Sequence, residues 1–276
     1  MNLRSIATRT AVAGATTALA ASALVGMSTT TANAATASSD YQCTSPLGDL
    51  GTFSVSIDVP LLPPTAPAGY PIDQGLLSYS GTVVVPAQTA ALLGQAGVDG
   101  GKADDFAFAI GSALDATAPG TYTKGDANPD GSVNFTGSGA NDAFTLPKAG
   151  TYAVMMPESF TFTPTSGGNP LPVTASCTTT APGKLGDVAL SKQASTIAAK
   201  AKKTSKGYSL TATVANEYGT PTGKVVAKLG KKSYTGTLKK GKAVIALPKT
   251  AKGKTVAVSY KGDGYSEAAK TSVKVK

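Results

Sequence analysis

The sequence predicts an all-β protein built as two β-sandwich domains, and three observations carry that prediction. Apolar residues recur at every second position in short runs, as in Phe53, Val55, Ile57 and Val59 against Thr52, Ser54, Ser56 and Asp58, the pattern of a half-buried strand. Gly, Pro, Asn or Asp bounds each run, and short, closely spaced strands of this kind suit sandwiches. Charge also changes sign along the chain. Residues 35–181 hold three lysines against twelve acids, a net −9, whereas residues 182–276 hold twenty lysines against four acids, a net +16. The overall +9 of the 276 residues describes neither half, and so abrupt a change marks a domain boundary.

Taken in order, residues 1–34 read as an export signal. Arg4 and Arg9 precede a small-residue apolar run over 11–27, and Ala32, Asn33 and Ala34 supply the small residues accepted for cleavage after Ala34. No other apolar stretch reaches spanning length, so the expectation is a secreted protein, extracellular or wall-associated, without a transmembrane anchor. The acidic domain, residues 35–177, then shows strands over 52–59, 76–85, 106–110, 132–135, 151–156, 160–163 and 173–177. Only 87–96 suits a short helix, with Leu92 and Leu93 as its apolar contacts. Cys43 and Cys177 are the sole cysteines and lie at the two ends of this domain, so in an exported chain they are expected to form one disulfide that closes it. A turn-forming stretch follows, and residues 178–190 are expected to be a linker.

The basic domain, residues 191–276, alternates more cleanly. Strands are expected over 195–201, 208–214, 224–229, 233–238, 243–247, 255–260 and 272–275, an immunoglobulin-like count and spacing. Tyr208-Ser-Leu-Thr-Ala-Thr-Val214, Gly219-Thr-Pro-Thr-Gly-Lys-Val225 and Tyr260-Lys-Gly-Asp-Gly-Tyr265 follow one another in order. Together they resemble the bacterial Ig-like repeats, of the group 3 type, found in secreted actinobacterial surface proteins. That resemblance implies a spacer, an adhesion unit or a polymer-binding unit. The Tyr41-Gln-Cys-Thr opening, the 55–59 strand running into prolines, and the closing Cys177 resemble an uncharacterised secreted actinobacterial domain, which implies no activity.

Composition excludes much chemistry. Histidine and tryptophan are absent, and both arginines fall within the export signal. Without histidine there is no Ser/His/Asp or Cys/His catalysis and no imidazole metal ligand, so no enzyme and no cofactor are expected. The sharpest local motif is Asp126-Ala-Asn128-Pro-Asp130-Gly131-Ser-Val-Asn134, which resembles the start of an EF-hand or dockerin calcium loop, with Asp126, Asn128 and Asp130 as oxygen ligands and Asp142 as a distant fourth. Gly137 stands where such a loop needs a bidentate acid, and a plain hairpin turn explains most of the same residues. A carbohydrate-active hydrolase is the alternative enzyme, resting on Asp104, Asp105 and Glu158.

The lysines carry the functional expectation. If Val225, Ala227 and Leu229 face the core, Lys224 and Lys228 point out; on the last strand Lys270, Lys274 and Lys276 do the same, with 255–260 between the two strands. Such a face attracts polyanions by counterion release, and outside a bacterial cell the expected partner is an anionic wall polymer or another extracellular polyanion, an anionic lipid surface or extracellular DNA. Lysine alone, without arginine or interleaved aromatics, predicts no specific nucleic-acid recognition. The reading is a non-catalytic surface-binding or adhesion protein. The remaining alternatives are a spacer without ligand, and attraction between acidic and basic domains within or between chains.

Overall fold

A computed structural model describes residues 33–276, and within them the expected strands form where the alternation places them. The export segment expected over 1–34 lies outside the described residues except for Asn33 and Ala34, which begin the first strand. The first part of the chain runs in order through β1 (Asn33–Ser45), β2 (Gly48–Leu62), β3 (Thr65–Pro67), β4 (Pro71–Ile72), β5 (Ser78–Val85), α1 (Ala87–Gln95), β6 (Gly100–Ala103), β7 (Ala107–Ile110) and β8 (Leu114–Thr117). It continues through β9 (Gly120–Ala127), β10 (Val133–Ala140), β11 (Phe144–Thr145), β12 (Gly150–Met155), β13 (Ser159–Ser166), β14 (Asn169–Pro170), β15 (Ala175–Thr178) and β16 (Lys184–Ser191). The helix forms as expected, but Thr89 and Ala90 are its buried residues; Leu93 packs partly against the core and Leu92 is exposed. The Thr89 hydroxyl donates to the Leu50 carbonyl at 2.6 Å and so ties the helix to β2.

The first part is not the expected pair of facing sheets. β13 pairs with β15 through Ser159–Phe162 and with β6 through Thr163–Thr165, so one sheet returns to its own beginning. The strands β13, β15, β1, β2, β5, β10, β9 and β6 close into an eight-stranded antiparallel barrel, which removes both edges. Rings fill it: Tyr41 meets Phe160 edge-on at 4.9 Å between centroids, and Phe135 meets Phe162 at 5.7 Å. Closure needs glycine in β6, because a Cβ on Gly101 would fall within the Phe162 ring. Cys43 and Cys177 stand directly opposite each other in the β1–β15 register and form the expected disulfide, fully buried.

Beside the barrel lies a five-stranded sheet ordered β3, β16, β12, β7, β8. Its second strand corrects the expected linker. Residues 184–191 alternate Leu185, Val188 and Leu190, all buried, against exposed Asp187 and Ala189, and pair along β12 from Leu190 opposite Gly150 to Lys184 opposite Met155. The change of charge sign at 182 therefore falls just before a strand of the first part.

The second part contains β17 (Thr196–Thr204), β18 (Gly207–Ala215), β19 (Lys224–Leu229), β20 (Lys232–Thr237), β21 (Lys242–Leu247), β22 (Thr255–Tyr260) and β23 (Ala269–Lys274), the seven strands expected. They form a three-stranded sheet ordered β17, β18, β21 and a four-stranded sheet ordered β20, β19, β22, β23. Leu210, Ala212, Val225, Ala227, Ile245, Val256 and Val258 build one core from both. Asp263 organises the loop before β23. One carboxylate oxygen accepts from the Thr222 N–H and hydroxyl, both at 2.9 Å, and the other from the N–H groups of Tyr265 and Ser266. Burial opposes its charge, but these donors outweigh burial and bring the carboxyl down to about 2.

The two parts belong to one compact unit, Ala32–Lys276. Their junction centres on Gln193, which is 6% exposed. Its amide nitrogen donates to the carbonyls of Ala68 and Tyr218, and its amide oxygen accepts from the Tyr218 N–H. Tyr70 and Tyr218 meet edge-on at 4.9 Å, and the Ala149 N–H donates to the Gly264 carbonyl at 2.9 Å.

Candidate functional site

The lysine face forms as the alternation requires. On β19, Val225 and Ala227 turn inward with no exposure while Lys224 and Lys228 are exposed on the other side. On β23, Lys270 and Lys274 are exposed, and Lys276 follows at the same parity past the buried Val275. The strand between them is β22, as expected; the sheet is one strand wider, because β20 joins it at the far edge of β19. Register fixes the layout. Val226, Ser259 and Lys270 form one outward row, and Lys228, Ala257 and Ser272 the next; Thr255 stands opposite Lys274.

The lysines are therefore staggered over a floor of short side chains. Lys224 and Lys228 are about 13 Å apart along their strand, and β23 lies about 10 Å across the sheet from β19. None of the four strands carries an acid. Among the described residues the ion pair present joins Lys184 to Asp187 on β16, and no face lysine takes part in it. Closely spaced unpaired ammonium groups of one sign sum to a field that draws polyanions.

A second row of lysines was not singled out by the sequence. Lys200 and Lys202 on β17 are exposed on the outer side of the three-stranded sheet, with Thr211 and Ser209 opposite them on β18. Lys242, just ahead of the strand expected over 243–247, is the first residue of β21 and shares that sheet. The alternation of Lys200 and Lys202 with Ala199 and Ala201 was the signal available.

The suspected calcium loop folds as a turn. The Asn128 N–H donates to the Ser132 carbonyl at 2.7 Å, and the Asn128 amide nitrogen donates to Ser132 Oγ and Asn134 Oδ1. Asp130 Oδ1 accepts from both the hydroxyl and the N–H of Ser132, which hold its carboxyl below the usual range. Gly131 takes the left-handed φ of +83° that this turn demands. Asp126 is the next-to-last residue of β9, outside that hydrogen-bond set, and the expected Asp142 is bonded through its N–H to the Thr117 carbonyl. Among the described residues no three or more His, Cys, Asp or Glu gather as a metal site.

Asp104 and Asp105 lie in the turn after β6, where Asp105 accepts from the Thr161 N–H at 2.8 Å and so serves the start of β13. Glu158 is exposed just before β13. A groove of about 560 Å³ lies elsewhere, on the outer wall of the barrel across β1, β2, β5 and β10. Hydroxyls of Thr36, Ser38, Ser56, Ser80 and Thr82 line it, its one carboxylate is Asp58, and none of the three candidate acids reaches it.

No helix among the described residues is long and apolar enough to cross a membrane. Comparison with known proteins yields a family model over residues 40–191, described as a family of unknown function (DUF6801). The match begins at Asp40 within β1 and ends at Ser191, the last residue of β16, so it takes in the barrel from the middle of its first strand together with the companion sheet and leaves out the lysine face. No curated protein matches the chain.

Proposed function

The chain belongs to that family of unknown function, and from this premise we propose that it is a secreted, non-catalytic binding protein of the bacterial surface. In this reading the second part is an immunoglobulin-like sandwich that associates with anionic wall polymer, and the barrel is the part presented beyond it. The observation that carries the reading is the acid-free outer face of the four-stranded sheet, where Lys224, Lys228, Lys270 and Lys274 stand unpaired over short side chains. A repeating anionic chain can lie along such a face and meet several ammonium groups at once, releasing counterions as it does. Lysine supplies point charges without the bidentate fork of arginine, so the binding is selective for charge density more than for sequence of the polymer.

The test is retention of residues 35–276 on purified cell wall across a salt titration. Retention is expected to fall roughly tenfold or more between 50 and 500 mM salt. The quadruple variant Lys224→Glu, Lys228→Glu, Lys270→Glu, Lys274→Glu is expected to lose it at every salt concentration. Salt-insensitive retention, or full retention by that variant, contradicts the reading.

A further inference from the structure

We infer that the chain binds a second copy of itself, head to tail, through the lysine face of one copy and the barrel wall of the next. Two sheet faces of opposite and unmixed charge carry the inference. The four adjacent wall strands β1, β2, β5 and β10 contain no lysine and hold Asp40, Asp49 and Asp58. The four strands of the lysine sheet contain no acid. Both faces are otherwise floored by short hydroxyl-bearing or small side chains, so neither lifts its partner away.

The pitch of the charges also agrees. Asp40 stands opposite Ser54 and Asp58 opposite Thr36, so the two carboxylates are four residues apart along neighbouring strands. That is about 13 Å, the separation of Lys224 and Lys228 along β19. Asp58 lies in the groove on the barrel wall, a concavity of about 560 Å³ that receives lysine side chains standing proud of a flat sheet. Asp40 is exposed and spends one oxygen on the Ser54 hydroxyl, which leaves the other for a partner.

The charges are not satisfied within the chain. Among the described residues no ion pair joins the acidic part to the basic one, and the junction between them is built from neutral groups at Gln193, Tyr70 and Tyr218. The two faces belong to different parts and differ from each other, so the contact is heterologous and propagates along a row of copies. Each exposed pair of this kind is weak, so the contact relies on the summed field of the two faces; the dissociation constant expected at low salt is on the order of millimolar, and added salt weakens it.

The experiment is sedimentation of residues 35–276 as a function of concentration and salt. In about 20 mM salt the weight-average mass is expected to rise to at least roughly twice the monomer near 1 mM chain, and to return to monomer at about 0.5 M salt. Asp40→Lys/Asp58→Lys and Lys224→Asp/Lys228→Asp are each expected to be monomeric, and the chain carrying all four substitutions, with the charges of those two pairs exchanged, to associate again. Lys200→Asp/Lys202→Asp changes net charge equally on the opposite sheet and is expected to leave the mass curve unchanged. Monomer throughout overturns the inference; so does a control variant that lowers the mass as much as the wall variants. The Asp40/Asp58 variant keeps every face lysine, so its wall retention is expected to persist, which separates failure of self-association from failure of polymer binding.

Discussion

Gln193 and Tyr218 are joined in both directions: the Gln193 amide oxygen accepts from the Tyr218 N–H at 2.7 Å while its nitrogen donates to the Tyr218 carbonyl at 3.0 Å. One side chain thereby imitates a strand neighbour and, through Ala68, links the loop before β4 to the second part. Replacement by alanine leaves the partly buried Tyr218 N–H and carbonyl and the buried Ala68 carbonyl without these partners. Gln193→Ala is therefore expected to cost about 2–4 kcal/mol in urea unfolding and to split one transition into two as the parts uncouple. A single transition with an unchanged midpoint would show that the junction is held elsewhere.

The Cys43–Cys177 bond closes a loop of 134 residues and joins two barrel strands that are neighbours in space and remote in sequence. In the chain-entropy account a loop of that length is worth about 5 kcal/mol, an upper value. Cys43→Ala/Cys177→Ala is expected to lower barrel stability by a large part of that amount, measured by denaturant unfolding of residues 35–276. The unmodified chain, unfolded without reductant, is expected to show no free thiol.

How far the fold was legible follows from where alternation was clean. β2, β18 and β19 each show an apolar face at period two, and the lysine face followed from the same parity. β6 is Gly-Gly-Lys-Ala and shows no such face, yet it is the strand that closes the barrel, so two facing sheets were expected instead. The signal for β16 was present in Val188 and Leu190, but the neighbouring change of charge and the Pro182-Gly183 turn suggested a linker. Gln193 carried no sequence signal at all, because a buried glutamine differs from an exposed one only by what surrounds it.

The barrel also predicts which glycines are irreplaceable. A Cβ on Gly101 would fall within the Phe162 ring, and one on Gly137 would fall on the Thr121 carbonyl. Gly101→Ala and Gly137→Ala are each expected to cost about 3 kcal/mol or more, because ring or backbone must move. Gly94 offers the contrast: it lies within α1, and its nearest neighbour is the end of the Lys124 side chain at 3.8 Å. Gly94→Ala is expected to stabilise the chain by up to about 1 kcal/mol, through helix propensity. Equal effects at all three positions in thermal unfolding would contradict the packing argument.

Asp263 makes the second part sensitive to acid. Its folded carboxyl titrates at about 2, below the ordinary unfolded value of about 3.9, so between these values the folded chain binds fewer protons at this group than the unfolded chain does. The stability it contributes is present in full above about pH 4 and is lost as pH falls from about 4 towards 2. Asp263→Asn has no carboxyl to titrate and replaces one of the two acceptor oxygens by a donor facing N–H groups. The stability gap between wild type and Asp263→Asn is therefore expected to be constant from pH 7 to pH 5 and to shrink steadily below pH 4. The junction is expected to loosen over the same range, because the Tyr265 whose N–H Asp263 holds also accepts from the Gln193 N–H through its carbonyl. A gap that stays constant down to pH 2 would show that the four hydrogen bonds to Asp263 do not depend on its charge.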